Sequence, residues 1–491
     1  MQLNALLIGL DLGTQGARAV AVDADSGKIL VSSAASYAET NVADAQNEWK
    51  EQRAENWKQT AFSVLAELSD KLAQQEYRID RALLSVDATS GTIVPVDAHG
   101  VPLYHGIMYN DGRALVQTEH IHACCDDFEQ KLGYRFNASF GLPKMLWIME
   151  EMPRVYENTR YFLHQADYMV AALTGCIGVS DYSNALKSGY DLMDDCWPAF
   201  IGKTGLDPLR LPRVIAPGQE IARITEETQR LTRLPANTVV TGGVSDGCAS
   251  GFASGAVAPG QYNTTIGTTL VIKGVTRRFI RDGSGRVYCH KHPDGYWIPG
   301  GAGNVGGYCL NKWFGKEKFD EYNARSERLL PTGNLIYPLL GKGERFPFVK
   351  PDAEGFSLLK NEDVIARYAG TMEGVGFVER LCYDTLAALG CDTGDTVMIA
   401  GGAVHAPVWS QIRANILGKE LLEPENIEAA IGAAMVAGTT VLGRTLKQSA
   451  QTIVRFTRHF TPNAALHARY DALYAQFLVE CRRRGYLDEH L

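Results

Sequence analysis

The chain opens on short apolar runs separated by turn residues. Ala5–Leu10 and Ala17–Asp23 flank the segment Asp11-Leu12-Gly13-Thr14-Gln15-Gly16, a pattern that predicts strand, tight turn and strand. Asp25-Ser26-Gly27 then turns the chain into a third strand over Lys28–Ser33. A polar stretch from Glu39 to Glu51 follows, after which Trp57, Phe62, Leu65 and Leu68 recur at helical spacing. Two further strands are expected at Ala82–Val86 and Thr92–Asp97, on either side of the loop Asp87-Ala88-Thr89-Ser90-Gly91. Pro143 suits the first turn of a helix that puts Met145, Ile148, Met149 and Met152 on one face, a stripe that reads as core.

Between Asp207 and Pro235 the composition shifts to Pro, Arg and Thr, which predicts a long surface connection. Val239–Val244 is apolar and marks the boundary between an expected first domain of residues 1–242 and a second over residues 243–491. The second half repeats the opening theme. Tyr262–Ile266 and Leu270–Val275 flank Gly267-Thr268-Thr269, Thr396–Ile399 runs into Gly401-Gly402, and Ile431–Gly438 is a helix of small residues. One Gly-Thr hairpin at the head of each half points to a duplicated two-lobe α/β architecture.

Composition narrows the function classes. At 491 residues the chain exceeds what one core usually serves, and its 45% hydrophobic content excludes intrinsic disorder. A net charge of −8 argues against nucleic-acid or anionic-membrane surfaces, and no apolar run is long enough for a membrane helix. The start, Leu3 to Leu10, lacks the basic flank of a secretory leader. The 10 cysteines form no Cys-x-x-Cys pair, so reduced thiols in a cytoplasmic protein are expected rather than zinc or disulfides. A homodimer is the base-rate expectation for a soluble protein.

Four segments could carry chemistry. Asp11-x-Gly13-Thr14 combines a carboxylate able to hold hydrated Mg²⁺ with backbone N–H groups and a hydroxyl able to bind phosphate, and Arg18 adds a cation; an ordinary hairpin turn fits the same residues. Gly267-Thr268-Thr269 allows the same two readings, and neither segment is a Walker loop. Asp246 ends an apolar strand as a helix begins, where a carboxylate can act as general base toward an attacking hydroxyl or simply cap the helix. Asn110-Asp111-Gly112-Arg113 and Thr89-Ser90-Gly91-Thr92 offer groups suited to vicinal hydroxyls, or form solvated turns. The histidines show no spacing that assigns them a role.

Taken in order, these segments resemble the FGGY carbohydrate kinases of the actin and hexokinase superfamily. Ile8–Thr14 looks like that family's first phosphate loop, Tyr109–Arg113 like its sugar-contacting segment, and Gly243–Gly247 like the segment with its catalytic aspartate. Thr265–Thr269 resembles the second phosphate loop, Gly341–Phe348 the Gly-Glu-Arg-x-Pro signature, and Ala400–Ala403 with Trp409–Ile412 the adenosine-binding turn and helix.

The resemblance implies two actin-like (ribonuclease H-like) domains with an interdomain active-site cleft, the N-terminal one binding sugar and the C-terminal one binding nucleotide. It implies ATP and Mg²⁺, with Asp246 as general base, Asp11 at the metal, and Thr14, Arg18, Gly267, Thr268 and Thr269 at the phosphates. Gly13 would let the first loop approach them, and Gly401, Gly402 and Ala403 would pack on the nucleotide. Asp246, Thr89, Ser90, Asp111 and Arg113 would meet the sugar. Two departures stand out. Gly401-Gly402-Ala403-Val404-His405-Ala406 lacks the usual third glycine and serine. Val86–Thr92 replaces the Gly-Gln-Met-His-Gly of bacterial xylulokinases and looks more like D-ribulose kinases. The implied acceptor is a ketopentose, D-ribulose ahead of D-xylulose; a catalytically silent sugar- or nucleotide-binding protein and an acceptor-free ATPase are the competing classes.

Overall fold

A computed structural model describes residues 2–39, 41–42, 49–125 and 127–488. Positions 40 and 43–48 of the polar stretch before Trp49 therefore lie outside the described residues. The chain forms two compact α/β units. The first takes the chain up to Ala253 together with His290–Gly295 and Asn426–Val454; the second takes Ser254–Cys289, Tyr296–Glu425 and the chain from Arg455 onward.

The first unit is built on a six-stranded mixed sheet, in the order Glu220–Arg223, Thr238–Ser245, Ala82–Ala88, Leu6–Leu12, Gly16–Asp23, Ile29–Ser36. The central strands Thr238–Ser245, Ala82–Ala88 and Leu6–Leu12 are parallel, while the opening hairpin and the third strand run antiparallel. Burial on both faces explains their near-continuous apolar character. The amphipathic helix Ala54–Ala73 packs on the hairpin strands, burying Trp57, Phe62, Leu65 and Leu68 as the spacing predicts. Ala429–Ala437 lies against Leu6–Leu12 and Ala82–Ala88 and is buried at all nine positions. Its small residues let the backbones nearly touch: a Cβ on Gly9 would overlap the Ala430 carbonyl oxygen.

Two expectations need correction here. The boundary placed after residue 242 falls inside the strand Thr238–Ser245, whose ladder to Ala82–Ala88 draws it and the helix Asp246–Ala253 into the first unit. The segment from Asp207 to Pro235 is not a bare connection. It holds the strands Arg213–Ile215 and Glu220–Arg223 and the helix Glu226–Thr232, whose N-cap Thr225 accepts the Thr228 N–H. Edge strands with one exposed face carry too little apolar alternation to announce themselves.

The second unit carries a seven-stranded sheet in which Trp297–Ala302, Leu270–Gly274, Tyr262–Ile266, Thr396–Ala400, Glu420–Pro424 and Phe456–Phe460 lie side by side. Tyr262–Ile266 and Leu270–Gly274 form an antiparallel hairpin, and Thr396–Ala400 pairs parallel to the first of them. Each unit thus begins its main sheet with a Gly-Thr hairpin followed by parallel strands. The helix Val364–Ala388, capped by Asp363, packs against the helix Pro407–Leu417. Between them the fully buried Arg413 forks onto Glu379 through two hydrogen bonds of 2.7 Å. No helix among the described residues is long and apolar enough to cross a membrane.

Candidate active site

Parallel pairing gathers three carboxylates at one end of the first sheet. Asp11 and Asp87 are direct partners on adjacent strands, and Val244 pairs with Asp87 two residues before Asp246. Asp246 begins the helix Asp246–Ala253, where its Oδ1 accepts the Gly247 N–H at 2.6 Å. Sequence left open whether it caps the helix or faces a ligand. Its bond to the first turn and its half-buried position allow both.

Electrostatics make this cluster unusual. Asp87 is fully buried, and neither of its carboxyl oxygens meets a donor from another residue type. Burial, followed by the charges of Asp11 and Asp246, pushes it well above the ordinary carboxyl range. Burial also raises Asp11 to about 6; the bond from Asp87 lowers it and the charge of Asp246 adds to the rise. Crowded acids of this kind suit a divalent cation, whose charge reverses the cost of ionising them. Asp87 is not singled out in the sequence, where it reads as the first residue of a loop after Val86; the strand instead runs on to Ala88 and buries it. The signal was its burial run, Ala82–Ala88, which leaves no solvent for a charge.

The turn after Asp11 is held from several sides. The Gly13 N–H donates to Gly16 O at 3.0 Å, Gln52 Nε2 to Thr14 O at 2.8 Å, and the Tyr37 N–H to Gln15 O at 2.9 Å. A cavity of about 670 Å³ opens here, lined by Asp11, Gly13, Thr14, Arg18 and Tyr109 among others. Arg18 is half-exposed and paired with Glu428 at 2.6 Å. Its cation is thus at the expected turn, shared with a carboxylate more than four hundred residues away in sequence.

The two segments expected at the sugar behave differently. Arg113 donates to both oxygens of Asp111 at 2.7 to 2.8 Å and to Glu51 at 2.6 Å, and the Lys50 N–H completes Asp111 at 2.6 Å. Arg113 also lies against Trp49 and Trp147, at 4.0 and 4.8 Å from their ring centres. Burial alone would raise Asp111, but these bonds outweigh it and hold the carboxyl below its usual range. Asp111 and Arg113 therefore spend their polar atoms on a buried network. Thr89 is also occupied, its Oγ1 bonded to Gln165 Oε1 at 2.6 Å and Thr92 Oγ1 at 2.7 Å. Ser90 Oγ, by contrast, is buried with no partner. Histidine has a part that spacing did not announce: His164 bonds Asp167 at 2.6 Å through Nδ1 and Ser188 at 2.8 Å through Nε2. Both His164 and Ser188 are fully buried, so this chain braces the turn and reaches no substrate.

In the second unit the Gly267 N–H donates to Thr269 O at 3.0 Å, leaving Thr268 exposed at the tip of the hairpin. The Gly307 N–H donates to Gly267 O at 2.7 Å and supports the turn from below. Gly401 follows the strand Thr396–Ala400 with φ +85°, packed so closely on Ile266 that a side chain would overlap its carbonyl. Gly402 is exposed with open space where a Cβ would stand, and Ala403 is buried. These turns present backbone and hydroxyl groups at strand ends, as phosphate and nucleotide surfaces do.

Comparison with known proteins now identifies the class. The model of the FGGY family of carbohydrate kinases, N-terminal domain, matches residues 6–253, and that of the C-terminal domain matches residues 263–441. The chain belongs to the FGGY family of carbohydrate kinases. It is 26% identical to a xylulose kinase of Staphylococcus epidermidis, over 97% of this chain and 96% of that one. It is 24% identical to a gluconokinase of Bacillus licheniformis, over 90% and 88%. The crystal structure of a xylulose kinase from Rhodospirillum rubrum shares the fold, with a TM-score of 0.86 at 24% identity over 97% of this chain and 98% of the other. Membership carries the general activity, ATP-dependent phosphorylation of a sugar.

Proposed function

We propose that this kinase phosphorylates a terminal hydroxyl of a ketopentose, D-ribulose before D-xylulose. The observation that carries the reading is the trio Asp11, Asp87 and Asp246 at adjacent parallel strand ends, with Asp246 alone heading a helix. Asp246 takes the proton of the acceptor hydroxyl as that oxygen attacks the γ-phosphorus, a reaction that depends on position and charge more than on covalent help. Asp11 would hold Mg²⁺, with Asp87 beside it on the adjacent strand; bound there, the ion would neutralise phosphate charge. Thr14 and Arg18 on one hairpin, and Gly267, Thr268 and Thr269 on the other, orient the phosphates. Gly401, Gly402 and Ala403 meet the nucleotide. We read the two units as actin-like halves, the first serving the sugar and the second the nucleotide. Ten free thiols accord with a cytoplasmic setting.

The choice of D-ribulose rests on the Val86–Thr92 run, whose Ser90 hydroxyl is buried and unsatisfied. Asp111 and Arg113 contribute to the sugar side as a rigid wall, since their bonds are already made. A coupled assay of ADP release over ketoses, aldoses, polyols and aldonates tests the reading. D-ribulose should give the highest kcat/KM. Higher turnover of glycerol, an aldose or D-gluconate would overturn it.

A further inference from the structure

A separate cluster of ligating side chains lies on the helical segment that follows Arg113. His122 sits in the last turn of the helix Leu115–Cys124, Cys125 caps that helix, and Glu129 stands in the first turn of the helix Phe128–Leu132. The order His-x-x-Cys-x-x-x-Glu spaces them at i, i+3 and i+7, one face of a helical run. An imidazole nitrogen, a thiol sulfur and a carboxylate oxygen are thereby brought within 4.8 Å of one another. The set contains no Cys-x-x-Cys pair, so cysteine spacing does not announce it.

The contacts favour a shared ion over an ordinary ion pair. Glu129 Oε1 lies 3.0 Å from His122 Nδ1. Yet Nδ1 is shut off from solvent and makes no hydrogen bond among the described residues, so the short separation is not that of a donor aimed at its acceptor. Two ligands of one cation approach each other in this way, each turning its lone pair toward a third point. Glu129 Oε1 is itself held in place by the Phe136 N–H at 2.7 Å, and Cys125 Sγ lies 3.8 Å from His122 O. Cys125 is 2% exposed, and the side chains of His122 and Glu129 are 14% and 19% exposed, so little water competes at this point. A cavity of about 410 Å³, lined by His122, Arg135, Phe136 and Asn137 among others, opens beside the imidazole and admits a water as fourth ligand.

We infer that His122, Cys125 and Glu129 bind a zinc-type divalent cation, separate from the Mg²⁺ proposed at Asp11. Mixed nitrogen, sulfur and oxygen donors suit Zn²⁺, whereas Mg²⁺ takes oxygen ligands. Binding forms bonds to Nδ1, to Sγ and to a Glu129 oxygen. The thiol gives its proton to solvent, and the ring proton passes to Nε2. Arg135 Nε, which donates to Nε2 at 3.4 Å, then has to swing away, and that side chain is exposed. The ion clamps the helix Leu115–Cys124 to the helix Phe128–Leu132 and takes no part in phosphoryl transfer. The inference is independent of which sugar is phosphorylated.

The test titrates Co²⁺, a spectroscopic substitute for Zn²⁺, into the reduced full-length protein after dialysis against a chelator, without an affinity tag, ATP or Mg²⁺. One equivalent should raise a thiolate-to-cobalt charge-transfer band in the near ultraviolet, and Zn²⁺ should displace it. Cys125→Ser should abolish the band, while Cys124→Ser, one residue away, should keep it. His122→Ala and Glu129→Gln should each weaken Zn²⁺ binding at least about 10-fold, the least that changes around metal ligands usually cost. Zn²⁺ should also raise the Tm of the wild type but not of His122→Ala, a partly exposed position that carries the test if Cys125→Ser does not fold. Absence of the band in the wild type, a band that survives Cys125→Ser, or undiminished Zn²⁺ affinity in His122→Ala would overturn the inference.

Discussion

Replacing Asp11 by Asn should stabilise the ligand-free protein while destroying its activity. In the folded chain burial lifts Asp11 from the ordinary carboxyl value of 3.8 to about 6. The folded state therefore holds the proton more tightly than the unfolded chain does. Stability contributed by the protonated form is complete below about pH 4 and is lost as pH rises toward 6. At about 1.4 kcal/mol per pH unit, the ionised side chain costs roughly 3 kcal/mol at neutral pH. Asn carries no charge, so Asp11→Asn removes that cost. Urea denaturation of the ligand-free protein at pH 4 to 8 would read it. The two curves should coincide near pH 4, separate between pH 4 and 6, and stay apart above. Loss of stability at pH 7, or a gap independent of pH, would refute the assignment of a strained acid at this position. The same titration should appear in catalysis: wild-type kcat/KM should rise with pH through about 6, as Asp11 becomes able to hold a cation.

Other perturbations test separate parts of the structure. Asp246→Asn should lower kcat about 10²- to 10⁴-fold while calorimetric ATP binding survives; retained turnover would remove its role as base. Gly9→Ala places a methyl group on the Ala430 carbonyl and should cost about 1–3 kcal/mol or more in denaturant unfolding. Glu379→Gln leaves the buried Arg413 without its counter-charge and should cost about 3–5 kcal/mol, whereas a change below about 1 kcal/mol would mean that water reaches the pair.

The apolar runs were enough to locate the opening hairpin, the helix from Ala54, the strand ending at Ser245 and the small-residue helix near Ile431. They failed where apolar content is low or partners are remote. Glu220–Arg223 is an edge strand with no buried position, and nothing local shows that Asn426–Val454 returns to the first unit. The candidate site divides in the same way. Asp11 and Asp246 stand at strand ends next to glycine, a pattern visible in one dimension. Asp87 is an ordinary letter in sequence and gains meaning only from the burial and pairing around it.

By itself, then, the order of residues determined the periodicities, the turn chemistry and the family, because these depend on neighbours within a few positions. Tertiary structure decided which polar groups stay unsatisfied. Asp111 and Arg113 look available in sequence, yet they bond each other, Glu51 and a backbone N–H. Asp87, apparently an interior acid, faces two other carboxylates. The physical reason is that desolvation and hydrogen-bond saturation act through space. Both depend on segments far apart in the chain meeting at one sheet edge.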